Sequence, residues 1–71
     1  MKLVIKYQVV DFLDKILTEE LDPRSGLSDQ AELALIRSIR NKIRSQGSEP
    51  DLTPSEYKWL KEYMNRWVDE Y

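Results

Sequence analysis

The side chains in this chain that could do chemistry are serines, carboxylates, arginines and aromatics, because its 71 residues include no histidine and no cysteine. Without histidine the commonest general base and the commonest neutral metal ligand are missing. Without cysteine there is no thiolate nucleophile. Serines stand at positions 25, 28, 38, 45, 48 and 55, and nothing around them resembles a nucleophile elbow; capping and turn positions account for several. The carboxylate pairs Asp11/Asp14 and Glu19/Glu20 have the chemistry to hold Mg²⁺, but on an exposed helix face such pairs read as solvated charges. The only glycines, Gly26 and Gly47, are too far apart to build a phosphate-cradling loop. The chain therefore reads as non-enzymatic, with no catalytic residue, no cofactor, no metal and no small-molecule substrate.

Binding chemistry is better represented. Five of the seven aromatic side chains, Tyr57, Trp59, Tyr63, Trp67 and Tyr71, fall in the last fifteen residues. On a helix, Leu60, Met64, Trp67 and Tyr71 share one narrow stripe, with Tyr57 and Val68 on one shoulder and Tyr63 and Trp59 on the other. The apolar arc then spans roughly half the circumference, more than a small bundle needs. Trp59 and Tyr63 either fill an ordinary core, under the N-terminal residues or against Phe12, or form an interface with Arg66 beside them, since Trp, Tyr and Arg dominate contact energetics.

Arg37, Arg40 and Arg44 recur at i, i+3 and i+7 and line one edge of a second helix. Formal charge by segment is +2 for residues 1–7, −4 for 8–22, +3 for 23–47 and −3 for 48–71, which the total of −2 conceals. Opposite charges on antiparallel neighbours predict that the basic edge faces the acidic helices of the same bundle. The edge would otherwise serve phosphate or an acidic partner.

These residues must be positioned by helices. Val9, Val10, Leu13, Ile16 and Leu17 share a face that predicts a helix over 8–21, with Phe12 and Leu21 on its shoulders, stopped by Asp22-Pro23-Arg24-Ser25-Gly26. A second helix is expected over 28–45, capped by Ser28 or Asp29, with Asp29 and Glu32 spaced as a capping box and Gly47 as the stop. Leu33, Ile36, Ile39 and Ile43 form its stripe. Thr53-Pro54-Ser55-Glu56 begins a third helix over 54–70 with a capping threonine, a proline at the first position, a glutamate at the third, and Leu52 and Tyr57 spaced as a hydrophobic staple. Residues 1–7 alternate apolar and polar side chains, yet no other segment reads as a strand. The favoured expectation is a first helix beginning near Leu3; the other is an extended arm that adds to a second chain.

The fold class is thus all-α, a small three-helix bundle in a single domain over 1–71, near the lower size limit for independent folding. Absence of cysteine fits a reducing, cytoplasmic compartment. The run Leu3-Val4-Ile5 is too short for a signal-peptide core, and no stretch approaches the length of a membrane span. The function expected is that of a small helical interaction or regulatory protein binding another protein, or a second copy of itself, through Trp59, Tyr63 and Arg66, with Arg37, Arg40 and Arg44 as a second patch. A DNA-binding regulator of three-helix type is the alternative, disfavoured by a long second connection and a sequence pI near 5.0. A third reading is an acidic mimic of nucleic acid that blocks a DNA-binding enzyme. A small acidic chain of this kind also suits an accessory protein of a phage or mobile element, a reading carried by no particular residue.

Overall fold

Local capping signals set the helix boundaries. The computed structural model describes residues 1–26 and 29–67, with Ser25 and Trp67 described by backbone alone. It contains three helices, α1 (Tyr7–Glu20), α2 (Gln30–Gln46) and α3 (Pro54–Trp67), with one 3₁₀ turn at Pro23–Ser25. The expected all-α three-helix bundle is what forms. The expectations for Ser28, Val68 and Tyr71, and for the Trp67 side chain, lie outside the described residues.

Each helix start has a different cause. Asp29 caps α2 by accepting from the backbone N–H groups of Ala31 (3.0 Å) and Glu32 (3.3 Å). Thr53 and Glu56 close a reciprocal capping box on α3, with Glu56 N–H donating to Thr53 Oγ1 at 3.2 Å and Thr53 N–H to Glu56 Oε1 at 2.9 Å. No side chain caps α1; its first turn hangs from the Lys6 carbonyl, which accepts from the Val9 and Val10 N–H groups. Its last turn carries Glu19 and Glu20 and no base, against the helix dipole, so packing must hold this helix in place. Gly47, at φ 71°, ends α2 in a left-handed backbone that disfavours other residues, and its N–H returns to the Ile43 carbonyl at 2.9 Å.

Residues 1–5 correct the favoured expectation for the N-terminus. They are neither an early start of α1 nor a strand reserved for another chain; they run extended and pair antiparallel with residues 48–52 of the same chain. Leu3 N–H donates to the Pro50 carbonyl (3.3 Å), Ile5 N–H to the Ser48 carbonyl (2.7 Å) and Leu52 N–H to the Met1 carbonyl (2.7 Å), around a bridge between Lys2 and Asp51. The alternation read in the sequence is real: Leu3 and Ile5 are buried while Lys2, Val4 and Lys6 are exposed.

The core joins all of these pieces. Leu3 and Ile5 from the arm, Leu13 and Leu17 from α1, Ile36, Ile39 and Ile43 from α2, Leu52 from the connection, and Leu60, Tyr63 and Met64 from α3 form one buried cluster. Val9, Val10, Ile16 and Tyr57 pack at its margin, as their wheel positions require. The Cα radius of gyration, 11.3 Å, is close to the roughly 11 Å expected of a compact chain of this length. Because Ile5 is 2% exposed and Val4 64% exposed, Ile5→Ala should cost about 2–4 kcal/mol and Val4→Ala under about 0.5 kcal/mol in denaturant unfolding. Equal costs would mean that the arm is not part of the cooperative unit.

Candidate functional site

The candidate site grows out of α3, one turn beyond its capping box. Trp59 and Tyr63, four residues apart on one helix face, stack with ring centroids 4.8 Å apart and planes inclined by 14°. Trp59 Nε1 donates to Glu32 Oε1 of α2 at 3.2 Å, and Tyr63 O–H lies 3.4 Å from Glu20 Oε1 of α1. The pair therefore ties α3 to both other helices.

Exposure separates the two rings that the sequence left on one shoulder. Tyr63, at 8%, belongs to the core, whereas Trp59 is half-buried at its margin. Phe12, one of the neighbours offered for the pair in a core, is itself 41% exposed. The Tyr63 phenol is pushed up to about 12, first by burial, then by the charge and hydrogen bond of Glu20 and the charge of Glu19, with Arg66 acting in the opposite sense. Arg66 itself is exposed one turn further on.

Glu32 shows what the sequence pattern could not. The spacing from Asp29 suggests the return half of a capping box, but the carboxylate reaches across to the indole of Trp59 instead. Its local role is replaced by a contact between helices.

The basic stripe divides in three. Arg44 meets α1 as expected, with Nε 2.7 Å from Asp14 Oδ1 and Nη2 3.4 Å from Thr18 Oγ1. Half its side chain is exposed, so the pair contributes little, under about 1 kcal/mol. Arg40 is half-buried, and its Nε is covered with no hydrogen-bond partner among the described residues. Arg37 is exposed. The stripe is thus one interhelical ion pair, one half-buried arginine and one exposed one, not a single patch.

The strongest electrostatic arrangement was missed as such. Glu56, 3% exposed, accepts from Ser38 Oγ and Lys42 Nζ of α2, both at 2.5 Å, in addition to closing its own capping box. Burial raises its pKa, but the hydrogen bonds from Lys42, Ser38 and Thr53 outweigh that and bring it down to about 2. The motif identified Glu56 as a cap; its partners lie fourteen and eighteen positions away, with no local signal.

Among the described residues no group of acids is arranged to hold a metal ion, and no helix is long and apolar enough to cross a membrane. Fold and site together define a small three-helix bundle with a strand-paired arm and an aromatic pair braced between its helices. No protein-family model, curated protein or solved structure matches the chain.

Proposed function

We propose that this chain is a small non-enzymatic helical protein that acts by docking onto another protein through the Trp59 edge of α3, with Arg66 beside it. One observation carries the reading: the Trp59 ring is held on its face by Tyr63 and at its nitrogen by Glu32, yet the residue is only half-buried. A large aromatic already fixed in one rotamer loses little freedom on binding, which is the property of an interface anchor. Tyr63 supports that anchor from below and is not itself the contact. A second copy is the other occupant this edge would take. A chain without cysteine also suits a reducing compartment such as the cytoplasm.

Trp59→Ala tests the proposal. The variant should keep its helical circular dichroism and lose capture of a partner from native lysate, or lose self-association in sedimentation. Unfolding of the isolated variant would instead make Trp59 a core residue and remove the proposal. The DNA-binding alternative would draw on Arg37 and the partly covered Arg40. Binding to duplex DNA that weakens steeply with salt would replace the present reading.

A further inference from the structure

Pairing with residues 48–52 uses only one side of the arm. In an antiparallel ladder the N–H and C=O groups of successive residues point to opposite sides. Met1, Leu3 and Ile5 make the bonds to the connection. Lys2 and Val4 therefore turn their N–H and C=O groups outward, where none has a hydrogen-bond partner among the described residues. Both residues are exposed, so these groups form a strand edge that faces water. On the far side of the ribbon, the outward N–H groups of Asp51 and Thr53 are taken by Gln46 Oε1 (2.7 Å) and Glu56 Oε1 (2.9 Å). The chain closes one edge with its own side chains and leaves the other open.

An extended peptide laid antiparallel along the arm would pair with Lys2 and Val4 through residues two apart, roughly 7 Å. Cross-strand neighbours decide which peptide fits: a β-branched residue suits the place opposite Val4, and a carboxylate the place opposite Lys2. Lys2 forms no ion pair among the described residues, and Asp51, its neighbour on the paired side, is engaged by the N-terminal ammonium at 3.0 Å. A second copy fits less well, since arm against arm sets each Lys2 opposite Val4 and supplies it no acid.

We infer that the outer edge of the arm, at Lys2 and Val4, docks an extended acidic segment of a partner protein, which adds as a further strand with a carboxylate opposite Lys2. None of the residues proposed around Trp59 takes part, so the two contacts stand or fall separately.

The test is a set of nuclear magnetic resonance titrations of the full chain, read at the amide signals of Lys2 and Val4. The probe is the peptide acetyl-Thr-Val-Thr-Glu-Thr-amide, whose Val and Glu can stand opposite Val4 and Lys2. Both amides should shift to saturation, and a peptide with Lys in place of Glu should bind about threefold to tenfold more weakly. N-methylation of the Val and Glu nitrogens, which point at the arm, should abolish binding; N-methylation of the central Thr, which points away, should not. Val4→Pro removes an outward N–H that the chain itself does not use, so it should keep the helical circular dichroism and lose the peptide. If that variant fails to fold, the methylated peptides decide alone. No shift at Lys2 and Val4, or binding indifferent to which nitrogens are methylated, would overturn strand addition. Equal affinity for the Glu and Lys peptides would overturn the acidic partner. Shifts of the same amides on concentrating the protein alone would put a second copy in its place.

Discussion

Glu56→Ala should lower the stability of this protein by about 2–4 kcal/mol, because it removes a cap and strands two partners in one step. The carboxylate closes the α3 capping box through Thr53 and receives Ser38 and Lys42 from α2. Its removal frees the N-terminus of α3 and leaves the Lys42 ammonium, whose side chain is 28% exposed, without its counter-charge. A chain of this length has roughly 4–10 kcal/mol in total, so the loss is a large fraction. Glu56→Gln keeps an oxygen for the Thr53 N–H and should cost about half as much. An alanine variant as stable as the wild type in denaturant unfolding would show that the buried carboxylate contributes nothing net.

The same residue sets the acid limb of stability. Glu56 titrates at about 2 in the folded chain against 4.5 ordinarily. A depressed carboxylate stabilises the fold fully above its unfolded value, and that contribution is lost as pH falls from about 4.5 towards 2. The difference corresponds to about 3 kcal/mol. Thermal midpoints measured between pH 6 and pH 2 should fall steeply in the wild type and less steeply in Glu56→Gln. Parallel slopes would assign the acid sensitivity to other carboxylates.

Tyr63→Ala is the second large effect, at about 3–5 kcal/mol, as expected for emptying the space of a buried aromatic ring. The loss extends beyond volume, since Trp59 loses the face on which it stacks and Glu20 loses its hydroxyl neighbour. Tyr63→Phe keeps the ring and gives up the long hydrogen bond to Glu20, so it should stay within about 1 kcal/mol of the wild type. The two variants differ again at high pH. With the phenol raised to about 12 in the folded chain against 10 ordinarily, its contribution is present below about 10 and lost as pH rises through 12. Tyr63→Phe should flatten that alkaline decline. An alanine variant no less stable than the phenylalanine one would mean that the ring is not part of the core.

The helices were legible because their signals are local. Thr53-Pro54-Ser55-Glu56, Asp29 and Gly47 act within four residues of themselves, and the apolar stripes follow the helical period. The arm was misjudged because its partner does not look like a strand. Residues 48–52 contain Pro50, which lacks an N–H and so argues against a sheet. In this ladder position 50 contributes only its carbonyl, to Leu3, and the donor comes from Leu52, so proline costs the pairing nothing there. A helical wheel puts Trp59 and Tyr63 together on one shoulder of α3, but it does not show how far a neighbouring helix extends over that shoulder, and Tyr63 lies in the core. The C-terminal part of α1 carries Glu20 to Tyr63, and α2 carries Glu32 to Trp59; those distances in sequence, 43 and 27 residues, are where local reading ends.

The pairing of residues 1–5 with residues 48–52 also orders events in time. Leu3 and Ile5 are synthesised before the connection, residues 48–52, that pairs with them, a delay of several seconds at ordinary rates of synthesis. During that interval they are a short β-prone segment in water. Lys2 and Lys6 on either side of them then act as gatekeepers, keeping nascent chains apart until the connection before α3 arrives to receive the arm.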